Sequence, residues 1–96
     1  AIIYLADESV RGKGYGTEAM EALLIHAFEE LTAHRVTVSH FPDDVVASHL
    51  YTKLGFRTEG ILKLAGKRSH EYFDMELRAI LKEEWEEQNE MKALKA

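Results

Sequence analysis

Three closely spaced glycines, with basic residues between and before them, lead into an apolar helical pattern. Residues 10–24 read VRGKGYGTEAMEALL, in which Gly12, Gly14 and Gly16 are interleaved with Arg11 and Lys13. Glycine lets the backbone turn tightly and lets a ligand approach the N–H groups. The first turn of the following helix offers unpaired N–H donors and the positive end of the helix dipole. This segment favours an anion cradle for phosphate or pyrophosphate, while a plain strand-to-helix turn with solvated cations explains the glycines equally well.

Two familiar phosphate loops do not fit this segment. A Walker A loop needs Ser or Thr directly after its Gly-Lys pair, whereas Gly14 follows Gly12-Lys13 here. The dinucleotide-binding pattern G-x-G-x-x-G also fails, because Thr17 stands where the third glycine would fall. If the segment binds phosphate, it does so as a loop of another kind.

Apolar periodicity predicts the element order β-α-β-α-β-β-α around this loop. The predicted strands are AIIYLA (1–6), HRVTVSHF (34–41), FRTEGILKLAG (56–66) and HEYFDMELR (70–78), and the predicted helices span roughly 16–32, 44–54 and 79–96. The last two strands form a hairpin joined near Gly66–Ser69. The order predicts an α/β (α+β) fold with a mixed sheet and flanking helices, as a single domain over residues 1–96.

Local signals mark the faces and ends of these helices. The first helix carries an apolar stripe at steps of three and four, formed by Met20, Leu23, Leu24, Ala27, Phe28 and Leu31. Asp43 or Asp44 can cap the second helix, and Gly55 can end it. Trp85 is predicted to be the packing anchor of the third helix.

Composition excludes several classes of function. The chain has 96 residues, a net charge of −5 and no cysteine. The acidic balance disfavours a nucleic-acid partner and is compatible with a cationic substrate such as an amine. The lack of cysteine excludes disulfides and thiolate zinc sites, and it fits a cytoplasmic protein. No apolar run approaches about 20 residues, so neither a membrane span nor a membrane partner is predicted. No metal site is predicted.

Two motifs identify a resemblance to a known family. The pattern Arg11-x-x-Gly14-x-Gly16 resembles the acetyl-CoA loop of the GNAT superfamily of N-acetyltransferases. DDVVASHLYTKLGF, residues 43–56, resembles that superfamily's N-x-x-A-x-x-L-Y-x-K-L-G-F segment. Glu59-Gly60 and Tyr72-Phe73-Asp74 are similar to the branch containing spermidine and ribosomal-protein N-acetyltransferases. The resemblance covers the motif-bearing core, residues 1–78, and leaves residues 79–96 as a C-terminal helix.

The resemblance implies acetyl-CoA as the cofactor and a set of residues that bind it. The pyrophosphate would lie on the glycine loop, and the pantetheine arm would pair with the end of the first strand, which must then splay from its neighbour. The second helix would flank the cofactor, with His49 reaching its phosphate. The implied residues are Tyr4, Leu5, Ala6, Arg11, Gly12, Lys13, Gly14, Tyr15, Gly16, Thr17, Asp44, Ala47, His49 and Lys53.

Tyr51 matches the position of the family's usual general acid. An amine attacks the thioester carbonyl, and the leaving thiolate must be protonated, which a phenol with a pKa near 10 can do. The alternative is that Tyr51 is simply a packed aromatic residue. Glu8 and His40 are candidates for the base that deprotonates the amine, whereas His26 and His34 are expected to be structural.

Two departures from the family pattern bear on function. Asp44 stands where the family has Asn, and a carboxylate is a good helix cap but repels phosphate. The family fold also begins with elements that would precede AIIYLA, so the chain resembles the C-terminal, cofactor-binding half alone.

The leading hypothesis is an acetyl-CoA-dependent N-acetyltransferase acting on a primary amine of a polyamine, a small molecule or a protein N-terminus. The alternatives are a CoA-binding or regulatory half-domain without turnover and an unrelated phosphate-binding domain. The unpaired edge of strand 1–6 further predicts a homodimer through that strand.

Overall fold

The computed structural model describes residues 1–6 and 16–95, with the backbone alone at Ala6 and Lys95. The strands are β1 (Ile2–Ala6), β2 (Arg35–His40), β3 (Arg57–Arg68) and β4 (Glu71–Leu81). The α-helices are α1 (Thr17–Ile25), α2 (Val45–Leu54) and α3 (Lys82–Lys95), and a π-helical segment, His26–Glu30, extends α1. The predicted element order is confirmed. No helix in the described ranges is long and apolar enough to cross a membrane.

The four strands form one mixed sheet in the order β1-β2-β4-β3. β1 runs parallel to β2, as expected for strands joined through a helix, and the other neighbours are antiparallel. The β3–β4 hairpin turns at Ser69 and His70, whose φ angles are 51° and 68°. Within the described residues β1 and β3 are the edge strands.

The core lies between one face of the sheet and the helices. Val36, Val38 and Ile80 point from the sheet toward Met20 and Phe28 of α1 and its extension, and all are fully buried. α3 joins this core through Trp85, whose ring centroid lies 5.1 Å from that of Phe28. The prediction that Trp85 anchors α3 is confirmed.

The apolar stripe predicted for the first helix is wrong at its last residue, Leu31. Leu31 is 50% exposed because the helix changes to π-type hydrogen bonding, with the Leu31 N–H donating to the His26 carbonyl five residues earlier. A π-turn rotates the following residues out of the 3.6-residue stripe. Ala33, which is 1% exposed, is buried in the core in place of Leu31. The helical segment ends at Glu30 instead of residue 32.

The ends of α2 are built by residues close to it in sequence. Asp44, rather than Asp43, is the N-cap, and its Oδ1 accepts from the Ala47 N–H at 3.0 Å. Gly55 ends the helix with a φ of 97°, a left-handed conformation that favours glycine. The Gln88 side chain of α3 donates to the Leu54 carbonyl at 3.2 Å, which satisfies one open carbonyl of this helix end.

The boundary between core and C-terminal helix differs from the prediction. The sequence predicts that residues 79–81 belong to the helix, but Ala79 and Leu81 pair with Thr37 and Arg35 of β2. The helix begins at Lys82, where the Glu84 side chain accepts from the Leu81 N–H at 3.0 Å. Pairing with β2 therefore extends β4 by three residues through contacts that local composition does not encode.

Candidate active site

Tyr51 lies on the buried face of α2, together with Ala47 and Leu54. Its side chain is fully buried. The His40 ring stacks against it with centroids 5.8 Å apart, and the Phe56 ring meets it edge-on at 5.5 Å. The general-acid role of Tyr51 remains a prediction, and its burial means that a substrate reaches the hydroxyl only if the surrounding packing changes.

A buried arginine, Arg78, lies beside this aromatic cluster. Its Nε is 3.0 Å from His40 Nε2 and 3.0 Å from Glu76 Oε2. Its terminal nitrogens donate to Thr52 Oγ1 at 2.9 Å and to Ser48 Oγ at 3.0 Å. The guanidinium thereby joins α2 to both central strands of the sheet.

The alternation of residues in β4 does not predict the burial of Arg78. In β4 the charged residues Glu76 and Arg78 alternate with Leu77 and Ala79, a pattern that ordinarily places the charges in solvent and the apolar residues in the core. The register instead buries both faces here: Arg78 pairs with the core residue Val38, and Ala79 on the opposite face is buried as well. Residues two apart in a strand share a face, and Ile80 lies two residues after Arg78. This spacing is the sequence signal that could have predicted a core-facing arginine.

His40 has both ring nitrogens engaged. An arginine Nε can only donate, so His40 Nε2 accepts from Arg78. The hydrogen of the neutral ring is then on Nδ1, which donates to the Phe41 carbonyl at 2.9 Å. Neither nitrogen is left to take a proton from an amine. The structure therefore does not support His40 as the general base. Glu8, the other candidate, lies outside the described residues.

The expected splaying of the first strand from its neighbour is wrong for the described residues. Tyr4, Leu5 and Ala6 all pair with β2, and the register continues to Ala6–Ser39. A parallel ladder satisfies the inner backbone groups of both strands, so nothing in these residues forces them apart. The Tyr4 side chain is 56% exposed and its hydroxyl is hydrogen-bonded to Ser39 Oγ, whereas Leu5 packs against the core.

Gly16 occupies the N-cap of α1, directly before Thr17. Its φ of −90° and ψ of −172° suit any residue, and a Cβ built on it would have no described atom within 4 Å. Neither backbone conformation nor packing in the described part of the chain requires glycine at this position. In the same part of the chain no side chain caps this helix end. The rest of the predicted loop, Arg11–Tyr15, lies outside the described residues.

The second predicted motif is divided between the two sides of α2. His49 and Lys53 are exposed, and Lys53 borders an open groove of about 530 Å³ between the end of α2 and α3. Ala47 is fully buried and its N–H already donates to Asp44. The cofactor roles of these residues stay predictions, and the burial of Ala47 does not favour its own.

His26 and His34, which are expected to be structural, lie outside the cluster around Tyr51 and Arg78. His26 is exposed and its Nδ1 lies 3.6 Å from Glu30. His34 Nδ1 lies 3.1 Å from the N-terminal amine, and the His34 carbonyl accepts from the Lys82 N–H at 3.0 Å. Among the residues that the structure describes, no group of three or more His, Cys, Asp or Glu side chains could hold a metal ion.

An ion pair joins the tip of the β3–β4 hairpin to the residues before α2. Two Arg68 nitrogens donate to the two Asp43 oxygens, each at 3.2 Å, and the guanidinium lies 3.9 Å from the centre of the Phe41 ring. The hydrogen bond from Arg68 lowers the pKa of the Asp43 carboxyl below its ordinary value. Arg68 therefore fixes the hairpin tip beside the N-terminus of α2.

The sequence matches a family model and named acetyltransferases. Residues 1–57 match the model of the acetyltransferase (GNAT) domain. The chain is 32% identical over 82 residues to the uncharacterized N-acetyltransferase YnaD of Bacillus subtilis, which covers 85% of this chain and 48% of that protein. It is also 32% identical over 65 residues to the spermine/spermidine N(1)-acetyltransferase of Bacillus subtilis, covering 68% of this chain and 43% of that protein.

A solved structure shares the arrangement. The chain is 31% identical to Mycobacterium smegmatis RimJ, solved in complex with CoA-disulfide, with a TM-score of 0.68 over 71% of this chain and 32% of that one. The chain spans a little under half the length of the two curated relatives, at 48% and 43%. Because the family model covers more than half of its residues, the chain belongs to the GNAT acetyltransferase family.

Proposed function

We propose that this chain forms the cofactor-binding part of an N-acetyltransferase that transfers the acetyl group of acetyl-CoA to a primary amine, with Tyr51 as the general acid. The observation that carries the proposal is Gly16, a glycine at the start of α1 that neither its backbone angles nor its described neighbours require. A ligand that approaches the backbone closely would explain why glycine occupies this position.

The residues at this helix end fit the phosphate part of acetyl-CoA. α1 has nine residues before its π-extension, so its first turn presents N–H donors and the positive end of the helix dipole. Gly16 and Thr17 lie at this end, and the predicted loop residues Arg11 to Tyr15 lead into it. Pyrophosphate is the group for which such an end is suited. The pantetheine arm would lie beside Tyr4, Leu5 and Ala6 at the C-terminal end of β1.

Acetyl-CoA supplies a thioester whose thiol leaves during acyl transfer. As the bond from the acetyl carbon to sulfur breaks, the Tyr51 hydroxyl would donate its proton to the departing thiolate and so release the free thiol, a step that a phenol with a pKa near 10 can perform. Because Tyr51 is buried, cofactor binding must open the space around its hydroxyl. Asp44 is occupied as the cap of α2, so its role in this scheme is to position the helix rather than to hold phosphate.

The acceptor is proposed to be a cationic primary amine such as a polyamine. A relative that is 32% identical bears the name spermine/spermidine N(1)-acetyltransferase, and the net charge of −5 attracts cations over longer distances. A small amine and a protein N-terminus remain alternatives. Family membership removes the unrelated phosphate-binding domain from consideration, whereas a CoA-binding half-domain without turnover is still an alternative.

Calorimetric titration with acetyl-CoA tests the binding part of the proposal. Gly16→Val should weaken binding about tenfold or more, since a hydrogen bond to a charged group contributes roughly 1.5–3 kcal/mol. Gly60→Val is the matched control, because a Cβ at Gly60 also meets no described atom within 4 Å and Gly60 lies on β3, the opposite edge strand. Equal affinity for both variants and the unaltered chain would contradict the assignment.

Thiol release from acetyl-CoA separates turnover from binding alone. The amine panel contains spermidine, a small monoamine and a peptide with a free N-terminus. Release with spermidine supports the proposed acceptor. Tight binding of acetyl-CoA without release on any of the three amines supports the non-catalytic alternative instead.

A further inference from the structure

We propose that Arg78 is a positioning residue for Tyr51: it holds the part of α2 that carries Tyr51, and it fixes His40, which stacks on the Tyr51 ring, as the neutral Nδ1–H tautomer. The inference rests on the proposed role of Tyr51 as the general acid. Arg78 itself touches no reacting atom in this scheme.

The first support is the set of hydrogen bonds that Arg78 donates to α2. Its side chain donates to Ser48 and Thr52, which lie four residues apart and flank Tyr51 on the helix. The same guanidinium lies 3.4 Å from the Phe56 carbonyl just beyond the helix. Several directed bonds from one planar group fix both the rotation of the helix and its distance from the sheet.

The second support is that the charge of Arg78 is buried and paired. Arg78 is 8% exposed, and a charge at such a position needs a partner. Glu76 supplies it at 3.0 Å, and Glu76 also accepts from Thr58 Oγ1 at 2.7 Å. The guanidinium therefore has a defined position on β4, from which its bonds to α2 can hold that helix.

The third support concerns His40. Two charged groups face its Nε2, the donating Arg78 Nε at 3.0 Å and the Glu76 carboxylate at 3.7 Å. While Arg78 donates, Nε2 must accept, and the ring hydrogen stays on Nδ1. Without that donor, the nearest charged group to Nε2 is the Glu76 carboxylate, 3.7 Å away, which can only accept and so favours a hydrogen on Nε2. Arg78 thus favours the Nδ1–H tautomer from one side of the ring that packs on Tyr51, and the Phe41 carbonyl, which accepts from Nδ1 at 2.9 Å, favours it from the other.

Two-bond ¹H–¹⁵N NMR of the His40 imidazole tests this without requiring turnover. The unaltered chain should show the Nδ1–H tautomer. Arg78→Lys keeps a positive charge for Glu76 but cannot bond Ser48, Thr52 and His40 together, so the tautomer should shift toward Nε2–H and the Tyr51 ring should flip faster. Arg35→Lys is the matched control, because Arg35 pairs with Glu59 away from this cluster. It should change neither signal.

Kinetics test the link to catalysis. Arg78→Lys should lower kcat roughly ten- to a hundredfold with little change in KM, as expected for a misplaced catalytic group. In a Tyr51→Phe background it should cause little further loss, because both changes then act on the same proton transfer. Arg78→Met removes the charge as well and should lower kcat at least as much, whereas Arg78→Lys keeps a positive charge beside Glu76.

The outcomes separate the inference from the proposed function. An unchanged His40 tautomer and an unchanged Tyr51 flip rate in Arg78→Lys would overturn the inference, whatever the activity. A kcat loss that is fully additive with Tyr51→Phe would do the same. If Tyr51→Phe alone leaves kcat unchanged, the general-acid role fails, and the NMR result still decides whether Arg78 fixes His40.

Discussion

His40 of β2 and Tyr51 of α2 lie with ring centroids 5.8 Å apart and ring planes inclined by only 23°, and both side chains are fully buried. The stacked pair joins the second strand to the helix that carries the family's tyrosine motif. Because one face of the Tyr51 ring is covered by a ring whose two nitrogens are both hydrogen-bonded, the tyrosine is held by a polar network as well as by the apolar core.

We predict that Tyr51→Phe lowers kcat for acetyl transfer by roughly ten- to a thousandfold, because general acid catalysis typically contributes about 10²–10⁴. The substitution removes a single oxygen and keeps the ring against His40 and Phe56, so the fold and acetyl-CoA affinity should change little. Thiol release gives the rate and calorimetry gives the affinity. Equal turnover by both forms would leave Tyr51 as a packing residue.

Gly55→Ala is expected to destabilise the chain by about 1–3 kcal/mol, the usual range for a strained backbone position. Gly55 has a φ of 97°, and an added Cβ would clash with Gln88 Oε1. Urea unfolding measures the loss, and Gly60→Ala is a control with open space around the new Cβ.

Combining Gly55→Ala with Gln88→Ala separates the two causes. The double variant relieves the steric clash and leaves the backbone strain, although it also removes the bond from Gln88 to the Leu54 carbonyl. A Gly55→Ala variant as stable as the unaltered chain would show that neither the left-handed cap nor the Gln88 contact constrains this position.

Helix α2 shows why much of the fold could be predicted from the sequence. Its boundaries are set by residues inside or next to it, Asp44 as the cap and Gly55 as the left-handed end, so short-range signals suffice. The same holds for the element order and for the two family motifs. The family resemblance carried by the segment around Tyr51 is confirmed by the match to the GNAT domain model.

The features that the sequence did not predict depend on contacts between distant segments. The start of α3 at Lys82 follows from the pairing of β4 with β2, and the burial of Arg78 follows from the register that places it beside His40 and α2. Leu31 left the core through a change of hydrogen-bond register inside a helix. None of these has a local signature as strong as a cap or a glycine.

The Asp43–Arg68 pair should make stability depend on pH in the acid range. The ordinary pKa of this carboxyl is 3.8, and its hydrogen bond with Arg68 lowers the pKa in the folded chain. The unfolded state therefore binds the proton more readily, so the pair stabilises the fold above about pH 3.8 and loses that effect as pH falls through the folded pKa.

Unfolding experiments across the acid range measure this contribution. Asp43→Asn should lower stability slightly at neutral pH and converge with the unaltered chain at low pH. The difference is small because Asp43 is exposed, and about 1 M salt should reduce it further. A difference that grows as the pH falls would contradict the sign of this effect.

The outer edge of β1 is predicted to join two copies of the chain. In the described structure no strand pairs with that edge, and Ile2 and Tyr4 beside it are 62% and 56% exposed. Unpaired backbone groups next to apolar side chains favour pairing with another strand. Sedimentation equilibrium should therefore show a homodimer, and Ile2→Lys should weaken it by placing two like charges at the interface.

Val46→Lys is the matched control, since Val46 is a 71% exposed apolar residue on α2, away from β1. A monomer mass at high micromolar concentration, with a folded far-UV spectrum, would exclude the dimer. Equal weakening by both variants would exclude β1 as its interface.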